Sequence, residues 1–307
     1  MNPVRAVLLW ASQNAFLRTR LPRMGFVRRT VARFMPGEEM EDALAAAERL
    51  ATQGLSITFT HLGENVTGLD QAAAAAAGYL ALLDRIDGLR LDAEISVKVT
   101  HLGLDLDPDT TLGHLSRLAQ RSGQLGRHLW IDMEASSYVD ATLDLYRRLL
   151  AEHRNAGICL QAYLRRTPAD VASLLPLGPS IRLVKGAYRE PADLALQRHA
   201  EIDEAYVRVA SNLIESDEVA RIAIATHDTA LIRRVLGAAG RRGEGPERVE
   251  IQMLFGIRVA DQHRLVRSGL PVRTLISYGP HWYPWFMRRM AEKPSNVWLA
   301  LRNLLSR

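Results

Sequence analysis

The stretch Ala93-Glu-Ile-Ser-Val-Lys-Val99 decides the fold. Ile95, Val97 and Val99 occupy one parity and Ser96 and Lys98 the other, which is the two-residue period of a strand. Apolar residues on one parity predict a dry face packed under helices. Polar residues on the other predict an interior face that turns chemical toward the end of the strand. The same division recurs along the chain. Leu129/Ile131/Met133, Ile158/Leu160, Ile222/Ile224 and Ile251/Met253 stand on the dry parity. Asp132/Glu134, Cys159/Gln161, Ala225/His227 and Gln252/Leu254 stand on the other. Lone inward polar residues often only satisfy one another in a core. Five strands that all become polar at the same end point instead to one shared site.

Strand-like runs occur at Leu55–Phe59, Ala93–Val99, Leu129–Met133, Ile158–Ala162, Ile181–Val184, Arg221–Ala225, Val249–Leu254 and Val272–Ser277. Helical stretches at 40–52, 69–84, 110–122, 138–153 and 193–215 lie between them. Eight strands in regular alternation with helices predict an α/β fold, a (βα)8 barrel with its active site at the C-terminal strand ends. An open doubly wound sheet is the alternative. It is disfavoured because no G-x-G-x-x-G turn follows a strand.

The division expected is a basic N-terminal helical arm over 1–37 and a catalytic barrel over 38–307. The arm carries seven arginines and no acid. Those seven taken from 39 basic residues leave 32 to face 34 acids. The basic character therefore belongs to the arm, and the body carries no excess that suggests a nucleic-acid groove. The arm reads three ways: helices packed on the barrel, a basic surface for anionic membrane, or a transit peptide. Apolar spacing at Val7, Leu8, Trp10, Ala11, Phe26, Val27, Val31 and Phe34 favours packed helices. The single cysteine, Cys159, excludes internal disulfides and clustered-cysteine metal sites; a reducing compartment fits, and so does a cysteine-poor secreted protein. No apolar run approaches the roughly 18 residues that cross a bilayer.

Only Lys98, Lys185 and Lys293 are lysines among 39 basic residues. Lys185 belongs to Arg182-Leu-Val-Lys-Gly-Ala-Tyr188, which ends the fifth strand. A basic side chain, a glycine and an aromatic there suit a place where the chain closes on a ligand, with Gly186 allowing a flat or phosphate-bearing group to approach. Thr226 and His227 end the sixth strand. After the eighth comes Tyr278-Gly-Pro-His-Trp-Tyr-Pro-Trp-Phe-Met-Arg288-Arg289, with Pro284 placed to open a helix. Arg288 and Arg289 diverge by about 100° on a helix. An arginine pair is usually solvated, but this one stands among Trp282, Tyr283, Trp285 and Phe286. In a dry setting a guanidinium grips a carboxylate through two parallel hydrogen bonds. Glu292, three and four residues on, can orient either arginine.

The strings Ile95-Ser-Val-Lys-Val-Thr-His-Leu-Gly-Leu-Asp, Ile131-Asp-Met-Glu, Leu160-Gln-Ala-Tyr-Leu-Arg, Arg182-Leu-Val-Lys-Gly-Ala-Tyr, Ala225-Thr-His, Ile251-Gln-Met-Leu and the Arg-Arg segment resemble, in the same order, those of bacterial proline dehydrogenases of the monofunctional type. The resemblance covers roughly residues 40–300. It implies a distorted (βα)8 barrel that binds FAD without a Rossmann domain. It further implies oxidation of L-proline to 1-pyrroline-5-carboxylate, by hydride transfer from C5 to flavin N5, and electron delivery to a quinone. A pyrroline-5-carboxylate dehydrogenase is the implied partner for the product. A cytoplasmic protein meeting the inner face of the cell membrane is the corresponding location.

Residue by residue, the resemblance places Gln161, Arg182, Lys185, Gly186, Ala187, Thr226, His227, Gln252, Glu292 and Ser295 around FAD. It places Arg288, Arg289 and Lys98 on the proline carboxylate, with Asp132 beside Lys98. Tyr188, Leu254, Tyr278 and Trp285 fall at or beside the substrate ring. Glu64 matches a glutamate that pairs with the first arginine to close the site. Leu275 departs from the pattern, standing where the family commonly has tyrosine, and Trp285 stands where tyrosine is common. Relatives without the first tyrosine accept hydroxyproline, so a dehydrogenase of hydroxyproline or another cyclic imino acid is the alternative. A barrel that binds without catalysis is disfavoured by the intact Lys98, Asp132, Arg182 and Arg288.

Overall fold

The computed structural model describes residues 31–241, 248–283 and 286–287. Eight parallel strands close into a barrel in sequence order. They are β1 Ser56–His61, β2 Ala93–Lys98, β3 Leu129–Asp132, β4 Ala156–Gln161, β5 Ser180–Val184, β6 Arg221–Ala225, β7 Val249–Leu254 and β8 Val272–Tyr278. The helices are α1 Met40–Ala51, α2 Leu69–Gly88, α3 Pro108–Gln124, α4 Val139–Glu152, α5 Thr167–Leu174, α6 His199–Glu215, α7 Thr229–Arg241 and α8 Val259–Arg267. Closure through β1 and β8 runs from Ser56↔Arg273 to His61↔Tyr278. The sequence therefore predicts the barrel and each strand to within about two residues.

The dry parity behaves as the period-2 pattern requires. Ile95, Val97, Val99, Leu129, Ile131, Ile158, Leu160, Ile222, Ile224, Ile251 and Met253 all lie in the main core. Each large apolar side chain buried there contributes about 1.5–3 kcal/mol. Local signals set the helix starts. The Asp107 side chain accepts the Asp109 N–H at 3.0 Å, and Pro108 opens α3.

One expected helix is shorter than its pattern. The stretch 193–215 becomes helical only at His199. Residues before it spend their backbone groups on the extension of β4: Arg165 N–H donates to Leu194 at 2.9 Å, Leu196 N–H donates to Tyr163 at 2.8 Å, and Leu164 bridges Ala195. Those groups cannot also close helical turns.

The lower half of the barrel holds charge. Glu94 accepts from Trp130 Nε1 at 2.8 Å and from Arg221 at 2.5 Å. Glu250 accepts from Arg221 at 2.7 Å and from Arg273 at 3.1 Å. Arg273 also donates to the Ile57 carbonyl at 2.7 Å. Two carboxylates and two guanidiniums offset one another, which makes their burial tolerable.

A second, smaller cluster joins Val31, Phe34 and Met35 to Leu62, Trp282, Tyr283, Phe286 and Met287. Trp282 Nε1 donates to Glu38 at 2.9 Å. Among the arm residues named above, Val31 and Phe34 thus pack; the earlier ones lie outside the described residues. Trp282 and Tyr283 are helical, and Pro284 lies outside the described residues. No helix among the described residues is long and apolar enough to cross a membrane.

Candidate active site

Register brings the inward polar residues to one level. Lys98 at the end of β2 is the partner of Asp132 at the end of β3. Cys159 on β4 pairs with Arg182 on β5, and Ala225 on β6 pairs with Gln252 on β7. Parallel strands in register point paired side chains the same way, so these residues converge inside the barrel.

Arg182 is the hub. Its Nη2 donates to Asp132 Oδ1 and to Ser96 Oγ, each at 2.5 Å, and its Nη1 donates to Gln252 Oε1 at 3.2 Å. Ser96 Oγ in turn donates to Asp132 Oδ1 at 3.0 Å. The guanidinium lies 5.0 Å from the centre of the Trp130 ring beneath it, a cation–π support. Gln252 Nε2 donates to Glu250 at 2.6 Å, which turns the amide oxygen toward Arg182. The hub is thereby tied to the charged floor of the barrel. With an Arg182 side chain only 3% exposed, the ion pair with Asp132 is what makes that cation affordable in the interior.

Above the hub, Lys98 is ion-paired with Glu64 from the β1–α2 loop. The ring of His101 lies against Gly63, where a β-carbon would fall 2.2 Å from its Nε2. Burial, then the neighbouring His61, push the His101 imidazole down to about 3. Glu134 is buried and accepts the Thr100 N–H at 3.1 Å and the Thr100 hydroxyl at 2.7 Å. Burial raises its pKa, and Lys98 and the Thr100 hydrogen bonds oppose the rise.

On the adjoining β4 wall, Gln161 donates its amide N–H groups to the carbonyls of Met133 (3.2 Å) and Glu134 (2.6 Å). Its Oε1 is buried with no hydrogen-bond partner among the described residues, an acceptor that lacks a donor there. Gly186 has φ +114°, and a β-carbon there would lie 2.2 Å from the Tyr163 ring; no other residue fits that backbone. Lys185 pairs with Asp203 on α6 at 2.5 Å and with Asp228, ahead of α7, at 3.4 Å. Burial works to raise the Asp228 pKa, but the Leu231 N–H and Lys185 hold it below the usual carboxylate range. Thr226 Oγ1 accepts the Asp228 N–H at 3.2 Å, and His227 is half-buried between them in sequence. Ala187 and Tyr188 follow Gly186 in the half-buried start of the β5–α6 loop. Leu254 and Leu275 are register partners on β7 and β8.

The structure thus gathers Lys98, Glu64, Asp132, Arg182 and Gln252 around one mouth, with Gln161, Lys185 and Gly186 along its β4–β5 side. Tyr278 stands apart. It is stacked on His61 at 5.0 Å and lies in the main core. Burial raises the pKa of its phenol. Trp285, Arg288, Arg289, Glu292 and Ser295 lie outside the described residues. The helical residues just before the pair, Phe286 and Met287, share their cluster with Leu62, two residues before Glu64.

Sequence reasoning missed Ser96 as the third member of the Arg182–Asp132 contact, and it missed Glu94, Trp130, Glu250 and Arg273. The signal for the latter was available: each stands two residues before an inward residue, so the strand period alone carries them into the barrel.

Comparison with known proteins bears on this site. The family model described as "Proline dehydrogenase" matches residues 43–298. Proline dehydrogenase 2 of Bacillus subtilis subsp. natto is 32% identical over 300 residues, covering 98% of each chain. Proline dehydrogenase of Deinococcus radiodurans is 33% identical over 278 residues, 89% of each chain. Among solved structures, proline utilization A from Bdellovibrio bacteriovorus, inactivated by N-propargylglycine, superposes with a TM-score of 0.82 at 23% identity. That match covers 95% of this chain and 36% of the longer one.

Proposed function

The chain belongs to the proline dehydrogenase family, and we propose that it oxidises L-proline to 1-pyrroline-5-carboxylate with FAD as its cofactor and a quinone as the final electron acceptor. The observation that carries this reading is the Asp132–Arg182–Ser96 contact at the end of the barrel where Lys98 and Glu64 meet. It offers a fixed cation, a fixed carboxylate and an ion pair that can open.

The residues present fit a flavin. The unpartnered acceptor of Gln161 suits the N–H that the ring edge of a flavin presents between two carbonyls. Gly186 keeps the chain free of a side chain beside Tyr163. Arg182, Lys185, Thr226, His227 and Gln252, with Glu292 and Ser295, would hold the rest of FAD. When bound, FAD supplies the acceptor for the hydride from proline C5.

The chain's own residues bind and orient. Lys98, Arg288 and Arg289 take the substrate carboxylate, and Glu64 exchanges Lys98 for Arg288 as the site fills. Leu254, Tyr188 and Trp285 pack on the ring hydrocarbon. Fixing the ring in one orientation in a dry cavity supplies most of the rate, since well-oriented neighbours react far faster than free ones. Asp132 and Ser96 keep the Arg182 cation in one place, where it favours negative charge on a reduced ring. The product opens by hydrolysis to an aldehyde, which makes a pyrroline-5-carboxylate dehydrogenase the natural partner. The membrane quinone gives the basic arm its part, at the inner face of the cell membrane.

The test is direct. Purified protein loaded with FAD is expected to be yellow and to bleach anaerobically on addition of proline. A chain that cannot be loaded, or that keeps its colour with proline, sinks the reading. Arg288→Ala and Arg289→Ala are expected to weaken binding by about 2–5 kcal/mol, the cost of removing one partner of a buried charge pair. A normal KM in both would remove the carboxylate assignment.

Leu275 favours a second substrate. It faces the interior from β8, opposite Leu254, with Thr58 on its other side in register. An aliphatic side chain of this size leaves more room than tyrosine for a ring substituent, so trans-4-hydroxyproline is the rival substrate.

A further inference from the structure

Glu190 lies two residues beyond Tyr188 and belongs to none of the motifs above. Its side chain is spent on one residue. Oε1 accepts the backbone N–H of Ser136 at 2.7 Å, and Oε2 accepts the Ser136 hydroxyl at 2.5 Å. Ser136 stands four residues after Asp132 and begins the short 3-10 turn that leads into α4. Hydrogen bonds to an ionised carboxylate are the strong ones, and two on one serine fix distance and direction together. Among the described residues Glu190 makes no ion pair, so its charge serves this contact alone.

The surrounding loop needs such a tie. Residues 185–198 run from β5 to α6, and Asp193 and Leu194 border a cavity of about 200 Å³ that Ser136, Leu164, Arg165 and Arg166 also line. Packing of Ala195 in the main core anchors the far part of the loop, and polar ties hold the stretch before it. Tyr163 N–H donates to the Lys185 carbonyl at 2.9 Å, and the Tyr163 hydroxyl donates to the Tyr188 carbonyl at 3.3 Å. Gln197 Nε2 donates to the Glu190 carbonyl at 3.2 Å. All of these except the Glu190 side chain link the loop to β4 or to itself. Glu190 alone in this set reaches the β3 side, where Asp132 stands.

We propose that Glu190 is a positioning residue that sets the β5–α6 loop against the end of β3, so that Tyr188 stands at a fixed distance from Asp132 and closes on the substrate ring. The part concerning the ring rests on the function proposed above. The tie itself does not.

The test compares Glu190→Ala, Glu190→Gln and Ser136→Ala in the full chain loaded with FAD. Glu190→Ala is expected to raise KM for proline about tenfold with kcat within about twofold, because a displaced loop loses ground-state contacts first. Glu190→Gln keeps an acceptor for the Ser136 N–H and is expected to restore most of the loss, with Ser136→Ala between the two. Bound FAD and Tm are expected to stay at wild-type values, while backbone amides of 186–196 exchange faster. An unchanged KM in Glu190→Ala overturns the proposal. So does a joint fall of FAD content, Tm and kcat with faster exchange around the whole barrel, which marks a merely structural residue. If the wild type does not oxidise proline, the functional reading fails, and amide exchange over 186–196 alone decides whether Glu190 holds the loop.

Discussion

Asp132 and Arg182 meet through a single oxygen, Oδ1, at 2.5 Å, and Ser96 donates to that same oxygen. Among the described residues the other carboxylate oxygen of Asp132 makes no hydrogen bond. The pair is thus half structural and half available. The cation is neutralised in the barrel wall, and one acceptor is left over among the described residues.

Removing the carboxylate strands a buried guanidinium. Asp132→Ala is expected to lower unfolding free energy by about 3–5 kcal/mol, the usual cost of breaking a buried pair from one side. Urea denaturation of the cofactor-free chain checks it. A change below 1 kcal/mol would mean that Ser96 and Gln252 suffice to hold Arg182.

The floor should reach the site through one amide. Glu250 receives Arg221, Arg273 and Gln252 together. Glu250→Gln turns one acceptor into a donor, so Gln252 can rotate and withdraw its oxygen from Arg182. The expected outcome is weaker FAD retention together with a stability loss of about 1–3 kcal/mol, as for an unsatisfied buried polar group. Flavin absorbance per chain after dialysis reads the first part, and retention equal to wild type would disconnect floor from site.

Acid should loosen the fold from pH 6.5 downward. The folded-state pKa of His101 falls from its ordinary 6.5 to about 3, so between those values the unfolded chain binds the extra proton. Stability then declines by about 1.4 kcal/mol per pH unit on account of this group. Glu134, raised by burial, works the other way, since its folded form takes up a proton first as pH falls. Burial would raise Glu94 too, but Arg273 and Arg221 hold it below 4.5. Its contribution is complete above 4.5 and is lost only as the pH falls further. His101→Gln is expected to flatten the slope of Tm between pH 6.5 and 5, and an unaltered slope would assign the decline elsewhere.

Ring specificity should reside at β8. Leu275→Tyr is expected to shift the kcat/KM ratio toward proline and against trans-4-hydroxyproline by about tenfold or more, since filling a pocket discriminates by roughly 1–3 kcal/mol. Equal ratios in both proteins would show that the β7–β8 wall does not touch the ring's far side.

The barrel was legible because two periods, two residues in strands and about 3.6 in helices, are written into the same chain without conflict. The upper site was legible for the same reason: Lys98, Asp132, Gln161 and Gln252 continue the inward parity. Tyr278 shows what that logic does not cover, since the resemblance and not the parity put it at the site. At the last residue of β8 the inward alternation passes to Ser277 and Leu275, and Tyr278 turns outward onto His61. Glu190 shows a different limit. Its partner Ser136 is 54 residues away, and a loop-to-loop hydrogen bond leaves no periodic trace. The lost start of the 193–215 helix has the same origin, since its backbone partners lie at the end of β4.

The ion-pair floor has a kinetic consequence. With Glu94, Trp130 and Arg273 buried beneath the hub, nothing passes through the barrel from below. On the function proposed above, a substrate and an electron acceptor that both approach by the open end of the barrel would take turns there. Steady-state plots at varied concentrations of both should then give parallel lines, the pattern of an enzyme that serves two customers in turn through one door.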